Sequence, residues 1–343
     1  MGEILTNTGR LFRFFMFELT VCTLAILLLS SKYAVSEQLP MVASAGSDGS
    51  ISIWDNQGKL VRKMGDRGAA INALLLLPRD DGKTIISAGA DGEIVFWQRN
   101  TGKALRRIKT PSENITALAV SSDSRWIATG GADRHIRLWD LQTGKQLGDV
   151  QAHAETIRSL IFFDGNTQLV SASEDKMIRI WKLQGELGSG VVIQYRSNIP
   201  AHDDGVNCLA LSPDKMTLAS VSADGFCKTW KLDNNGLANR MKVSNRSVFS
   251  TVFSPDGSLL ATGDEEGRIR LWHTSGGMSS AVQINTGSSV NALLWSADGA
   301  TIVSGSADGS LQYWDANSGK LLHKNTAQDS AVRCIISLPE SSN

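Results

Sequence analysis

Seven carboxylates recur at one fixed distance from seven tryptophans. Asp48, Asp91, Asp133, Asp175, Asp224, Glu266 and Asp308 each lie six residues ahead of Trp54, Trp97, Trp139, Trp181, Trp230, Trp272 and Trp314. Acids aligned in this way could hold a hard cation or work as a general acid–base array. Either chemistry needs them to converge, with histidines or further acids beside them. The five histidines, His135, His153, His202, His273 and His323, are instead scattered along the chain. There is no GxSxG elbow, HExxH, GxxxxGK[ST] loop or GxGxxG turn opening a helix. Cys208, Cys227 and Cys334 stand at unrelated spacings, giving neither a CxxC pair nor a disulfide framework. The pattern therefore points to a structural role for the acids, with no catalytic set, no metal and no cofactor expected.

The elements that position these acids form a repeat. Successive tryptophans are 43, 42, 42, 49, 42 and 42 residues apart. A unit of ~40–45 residues closed by a Trp-ending strand is the signature of a radial β-propeller with about four strands per blade. Each unit has a short apolar strand such as 206–211, a turn such as Ser212-Pro213-Asp214, and a small-residue strand such as 218–222. An Asp-Gly turn and an alternating strand such as 268–272 follow, then a second turn and a polar fourth strand. The first unit lacks its first strand, whereas residues 331–337 form a first strand with no unit after it. Joining the two ends gives an all-β, single seven-bladed propeller over residues 37–343, with repeats at about 41–338. The ring is closed by the C-terminal strand, which removes the exposed sheet edges.

With Trp-Asp pairs at Trp54-Asp55, Trp139-Asp140 and Trp314-Asp315, the repeats resemble the WD-repeat β-propeller family. Trp97-Gln98, Trp181-Lys182, Trp230-Lys231 and Trp272-His273 stand at the same place in the other units. The resemblance implies that the aligned acid bonds a histidine in the preceding blade-to-blade loop, a Ser or Thr, and the Trp indole. His153 and His202 occupy that loop position. Full networks are thus expected for His153, Asp175 and Trp181, and for His202, Asp224 and Trp230. Arg67, Pro111, Ser244, Thr286 and Gln328 stand there in other units, which are expected to lack the network.

The resemblance also implies a docking role for the face that carries the blade-to-blade loops. The third residue of each first strand is small, from Ala73 to Cys334, as crowding round a central channel requires. The second residue is polar but for one aromatic: Asn72, Thr116, Arg158, Asn207, Phe249, Asn291 and Arg333. These should line the channel mouth. Residues just before the acid, among them Glu174 and Glu265, should ring the same face. An exposed Phe flanked by Arg has the composition of an interface hot spot. The candidate partner-binding set is therefore Asn72, Arg158, Asn207, Phe249, Asn291, Arg333, Glu174 and Glu265. The 49-residue interval adds residues around 184–190 and predicts a longer hairpin at the outer edge of the ring.

Lys and Arg balance Asp and Glu at 34 each, so no basic footprint for nucleic acid is present. Residues 19–31 (Leu19 to Ser31) form an apolar run preceded by Arg10 and Arg13 and followed by Ala34-Val35-Ser36. This describes a secretory signal peptide cleaved after Ser36. The alternative is an uncleaved anchor within residues 1–36, which needs about 17–25 apolar residues. Either places the propeller outside the cytoplasm, in the periplasm or on the extracytoplasmic face of a membrane. The expected function is that of a monomeric, non-enzymatic scaffold that binds a protein partner through its loop-rich face. The competing readings are an exported enzyme or small-ligand binder using the channel, and an assembly factor for a membrane complex.

Overall fold

The computed structural model describes residues 39–339 apart from positions 66, 187–189, 277 and 327. The expected signal or anchor segment lies outside them. Among the described residues the chain forms 28 strands, β1 to β28 in chain order, in seven four-stranded antiparallel sheets. The first blade joins the two ends of the chain, with β28 (Val332–Ser337) innermost, then β1 (Val42–Gly46), β2 (Ile51–Trp54) and β3 (Leu60–Met64). The next six blades span residues 71–109, 115–151, 157–200, 206–242, 248–285 and 290–326. Their innermost strands are β4 (Ile71–Leu76), β8 (Ile115–Val120), β12 (Ile157–Phe163), β16 (Val206–Leu211), β20 (Val248–Phe253) and β24 (Val290–Trp295). Each innermost strand packs on the next, and β28 packs on β4 to complete the circle. Among the described residues no helix is long and apolar enough to cross a membrane.

The core lies between blades rather than within one. Trp181 of the fourth blade packs with Trp126, Ile136 and Leu138 of the third. Trp97 of the second blade packs with Ile51 and Ile53 of the first, and Trp54 of the first with Val303 and Tyr313 of the seventh. Every repeat tryptophan is at most 8 % exposed. Large aromatics are needed here because twisted sheets diverge outward from the axis and leave a wedge to fill.

The turn after each acid needs a left-handed residue. Gly225 supplies it at φ 80°, where an added Cβ would lie 2.2 Å from the Ser244 carbonyl oxygen. Arg134 and Lys176 take the same conformation in the third and fourth blades, at φ 69° and 73°, a strain of about 1–2 kcal/mol for a non-glycine residue.

The extra residues of the fourth blade extend its outer hairpin, as β14 (Met177–Glu186) and β15 (Gly190–Pro200). Val191 and Ile193 of this hairpin are buried against the third blade with Leu147. The insertion thus adds to an interface between blades as well as lengthening the rim.

Because β28 is both the last strand and the inner wall of the first blade, deleting residues 332–343 leaves β1 as an open edge. The expected outcome is loss of the monomer to aggregation and of the cooperative unfolding transition. Size-exclusion chromatography with thermal melting checks this.

Candidate protein-docking face

The aligned acids do not converge. Each caps its own turn, with the backbone N–H two residues on donating to it: Ser50 to Asp48 and Ser310 to Asp308 at 3.0 Å, Met177 to Asp175 at 3.1 Å, and Phe226 to Asp224 at 2.9 Å. Glu266 is the exception. In its blade the Arg268 N–H donates to the fully buried Asp264 at 2.9 Å, and Arg268 forms an ion pair with both acids. Among the described residues no cluster of three His, Cys, Asp or Glu could hold a metal ion.

Each repeat tryptophan donates its indole N–H to a Ser or Thr hydroxyl ten residues earlier, at 2.8–3.0 Å. In the fourth blade the acceptor is Ser171, whose hydroxyl also meets His153 Nε2 at 2.7 Å, while His153 Nδ1 lies 2.9 Å from Asp175. In the fifth, Ser220 joins Trp230 to His202 Nε2 at 2.8 Å, and His202 Nδ1 lies 2.9 Å from Asp224. One proton order satisfies every member: indole N–H to hydroxyl oxygen, hydroxyl to Nε2, Nδ1–H to carboxylate. The acid therefore reaches the tryptophan through His and Ser and does not touch the indole directly.

That order requires a neutral imidazole. Burial lowers the His153 pKa, and the nearby Arg179 lowers it further, against the pull of Asp175. Burial alone would raise Asp175, but together the bonds from His153 and from the Ala154 and Met177 N–H groups hold it at about 2.

The second blade, expected from its Arg67 to lack such a network, has one of its own. The fully buried Arg67 side chain forms a two-pronged ion pair with Asp91 and donates to Ser87 at 2.8 Å, and Ser87 accepts the Trp97 indole at 2.8 Å. Guanidinium takes the place of imidazole because its fork can donate to acid and hydroxyl together.

The channel-mouth residues share a feature that no sequence motif marks. In six blades the register between the innermost strand and its neighbour shifts around the second residue, leaving Asn72, Thr116, Arg158, Asn207, Phe249 and Asn291 as bulges. Arg333 occupies the same place in the first blade, where the shift falls between Ala45 and Gly46. A bulge re-aims the side chain out of the ladder, here toward the next blade. Asn72 donates to the Ile115 carbonyl at 2.8 Å, Asn207 to that of Val248 at 2.9 Å, and Asn291 to that of Val332 at 3.0 Å. Thr116 donates to the Ile157 carbonyl, and Arg333 to Asn72 Oδ1 at 2.6 Å and Ser47 Oγ at 2.9 Å. Five of the seven positions are thus stitches between blades, which gives Asn72, Asn207, Asn291 and Arg333 structural work within the ring.

Arg158 and Phe249 differ. At these two blades the third residue makes the crossing: Ser159 Oγ accepts the Leu209 N–H at 3.3 Å, and Ser250 donates to the Val290 carbonyl at 3.3 Å. Arg158 is exposed and turns back on Glu174 of its own blade, and Phe249 is half-buried. Glu265 is exposed in the sixth blade and accepts the Ser247 N–H at 3.3 Å. The sequence offers no sign of this substitution except serine at the small third position.

The three cysteines among the described residues offer no nucleophile. Burial pushes Cys227 and Cys208 up, and Cys334 up to about 12, so thiolate is scarce at neutral pH.

Closed ring, Trp–hydroxyl clasps and His–acid turns together define a seven-bladed WD-type propeller. A family model described as the IFT122 first beta-propeller matches residues 131–342, and one described as WD domain, G-beta repeat, matches residues 102–140. The first match covers more than half of the chain, which belongs to this family of WD-repeat propellers. Among solved structures, the chain is similar to the computationally designed Ika8 protein, with 28 % identity, a TM-score of 0.66 and 86 % of each chain covered. No curated protein matches the chain at a comparable level.

Two outcomes test the networks. His153→Ala should cost about 1.5–3 kcal/mol at pH 7, because it strands a buried acid and a buried hydroxyl. As His153 and Asp175 both have lowered folded-state pKa values, the unfolded chain binds more protons than the folded one in acid. The stability they confer is therefore full above the ordinary histidine value and falls as pH drops below it, then further as Asp175 is protonated toward about 2. Urea titrations between pH 7 and pH 3 should show the gap between wild type and His153→Ala narrowing in acid. Arg67→Ala should cost about 3 kcal/mol or more, since it leaves Asp91 without its buried partner.

Proposed function

We propose that this propeller is a non-enzymatic docking module that binds one protein partner through the fourth to sixth blades of its loop-rich face. Members of the WD-repeat family mediate protein–protein interaction, and the reading for this chain rests on one observation. Of the seven channel-mouth side chains, only Arg158 and Phe249 are released from stitching the ring, because Ser159 and Ser250 take over the crossing. The two blades concerned also carry the only glutamates of the ring just before the aligned acids, Glu174 and Glu265. Phe249 supplies an apolar anchor, and the exposed Glu265 of the same blade favours a partner with a cation at its rim, Glu174 being paired with Arg158. A standard interface takes about 800 Å² from each side.

The module acts outside the cytoplasm as a monomer, with residues 1–36 as a cleaved leader or a membrane anchor. The motif for that reading is the apolar run 19–31 with arginines before it and Ala34-Val35-Ser36 after it.

The test is cross-linked affinity purification from separated membrane and soluble fractions, with peptide sequencing of the bait's own N-terminus. One dominant partner is expected. Phe249→Ala and Arg158→Glu should each weaken its binding by at least tenfold, as hot-spot truncations do at about 1.4 kcal/mol per decade, with an unchanged melting temperature. Asn207→Ala should lower the melting temperature instead. A partner retained by both face variants would overturn the assignment of this face. A bait beginning at Met1 in the soluble cytoplasmic fraction would overturn the export.

A further inference from the structure

In three blades an acid just after the tryptophan holds the turn into the outer strand. Asp140 accepts the Thr143 N–H at 2.6 Å, Asp315 that of Ser318 at 2.7 Å, and Asp55 that of Gln57 at 2.9 Å. The longer hairpin of the fourth blade carries its turn beyond this point, so Lys182, at the same place, stands within β14. There it lies opposite Gln168 of β13 (Gln168–Ser173) on one side and opposite Gln194 of β15 on the other. Directly opposed residues share a face of the sheet, so the three side chains stand in a row. Lys182 is exposed and makes no ion pair or side-chain hydrogen bond among the described residues.

The outer strand of every blade also carries one residue too many beside the tryptophan. In the six other blades the register skips Val61, Leu105, Leu147, Ala238, Ala281 and Leu322, all apolar. In the fourth it skips Arg196. A bulge turns its extra side chain out of the ladder, and Arg196 donates to Gln168 Oε1. Gln168 is only 8 % exposed and is itself anchored, its Nε2 donating to Asp164 at 2.6 Å. The guanidinium is thus fixed by a neutral amide, which leaves its charge uncancelled and further N–H donors to spare. Arg67, Arg158 and Arg268, by contrast, are spent on carboxylates within the fold.

Lys182 and Arg196 line one pocket of about 540 Å³, walled also by Gln194, Tyr195 and Asp164. Two cations against one acid, itself engaged by Gln168, leave the pocket positive. We propose that this pocket binds a small phosphorylated molecule. A phosphate can accept from a guanidinium fork and an ammonium together, and the Gln194 amide can donate to a further oxygen. A pocket of this volume has room for an organic body beside the phosphate. Tyr195 offers that body a fixed aromatic wall: its ring stands edge-on to Trp181 with centroids 5.8 Å apart, and its hydroxyl donates to Asn198 at 2.7 Å. The site lies past Trp181, toward the end of β14 away from the Asp175 turn, and so apart from the loop-rich face. It goes beyond the docking role and depends neither on the partner nor on residues 1–36.

Isothermal titration calorimetry of the full chain tests this, with phenyl phosphate as probe and with inorganic phosphate and benzoate as comparisons. Phenyl phosphate should bind once per chain with a Kd below about 1 mM, and benzoate, which keeps the ring but carries a carboxylate, about tenfold more weakly or worse. Lys182→Ala and Arg196→Ala should each weaken phenyl phosphate by about tenfold or more. Lys231→Ala, at the matching place in the fifth blade, should leave it unchanged. Should Arg196→Ala lower the melting temperature by stranding Gln168, Lys182→Ala decides, since that side chain has no bond in the fold to lose. No saturable binding, benzoate bound as well as phenyl phosphate, or an equal loss in Lys231→Ala would each overturn the proposal. Inorganic phosphate bound as tightly as phenyl phosphate would mark an adventitious ion only and overturn it too. Partner capture through Phe249, measured without phosphate, is unaffected by any of these results.

Discussion

Each repeat tryptophan fills the wedge between two blades with its indole N–H paired, where leaving that buried donor unpaired would cost about 1–3 kcal/mol. In this ring every such N–H ends on a Ser or Thr hydroxyl ten residues upstream. The distance follows from the hairpin: the hydroxyl lies on the strand that pairs with the Trp strand, so one local bond fixes the aromatic that the next interface is built on. The hydroxyl has capacity to spare, and the blades differ in what uses it. His153 and His202 couple it to the turn acid, Arg67 does so with a fork, and Ser44 makes the clasp alone.

The second constraint is the bulge at the head of each innermost strand. Strands converging on a narrow channel leave little room for side chains pointing inward, and the small third residues reflect that. The bulged second residue has nowhere to go but sideways, and in most blades it closes the joint to the neighbour. Where a serine at the third position can make that joint, the second position is relieved of it. Arg158 and Phe249 are placed by this exchange, so the same geometry that stiffens five joints exposes two side chains.

Much of this fold was legible because the repeat is periodic. Seven tryptophans in phase, the surplus strand at residues 331–337 and the missing one before Met41 specify ring size and closure without reference to any long-range contact. His153 and His202 were legible through resemblance, being the only histidines at their loop position. The Arg67 network was not, although Arg67 stands at that same position with Ser87 ten residues before Trp97; its donors match imidazole in geometry but not in residue type. Asp264 takes the place of Glu266 as turn cap, accepting the Arg268 N–H at 2.9 Å, a matter of ångströms rather than of pattern. The bulges were invisible, since an extra residue in one strand changes pairing without changing composition. Asn72, Asn207, Asn291 and Arg333 therefore read as free surface when they are joints. The meeting of Lys182 and Arg196 at one pocket depends on such a bulge and was equally hidden, and only the fold makes neighbours of residues from both ends of the chain.

That union of the two ends has a consequence in time. Asn325 meets Gly58 and Arg333 meets Ser47 across sequence separations of 267 and 286 residues, and β28 pairs with β1 over its whole length. As the chain emerges from the ribosome, six blades can form their own hairpins, but the first has no inner wall until β28 is made. Contacts of such long range are slow to form, and until they do the ring has two raw edges and an unfilled seam. The ring therefore stays open until β28 follows β1 across almost the whole length of the fold. The clasp that makes the finished molecule rigid is thus also a timer, set by position in the gene rather than by any slow chemical step.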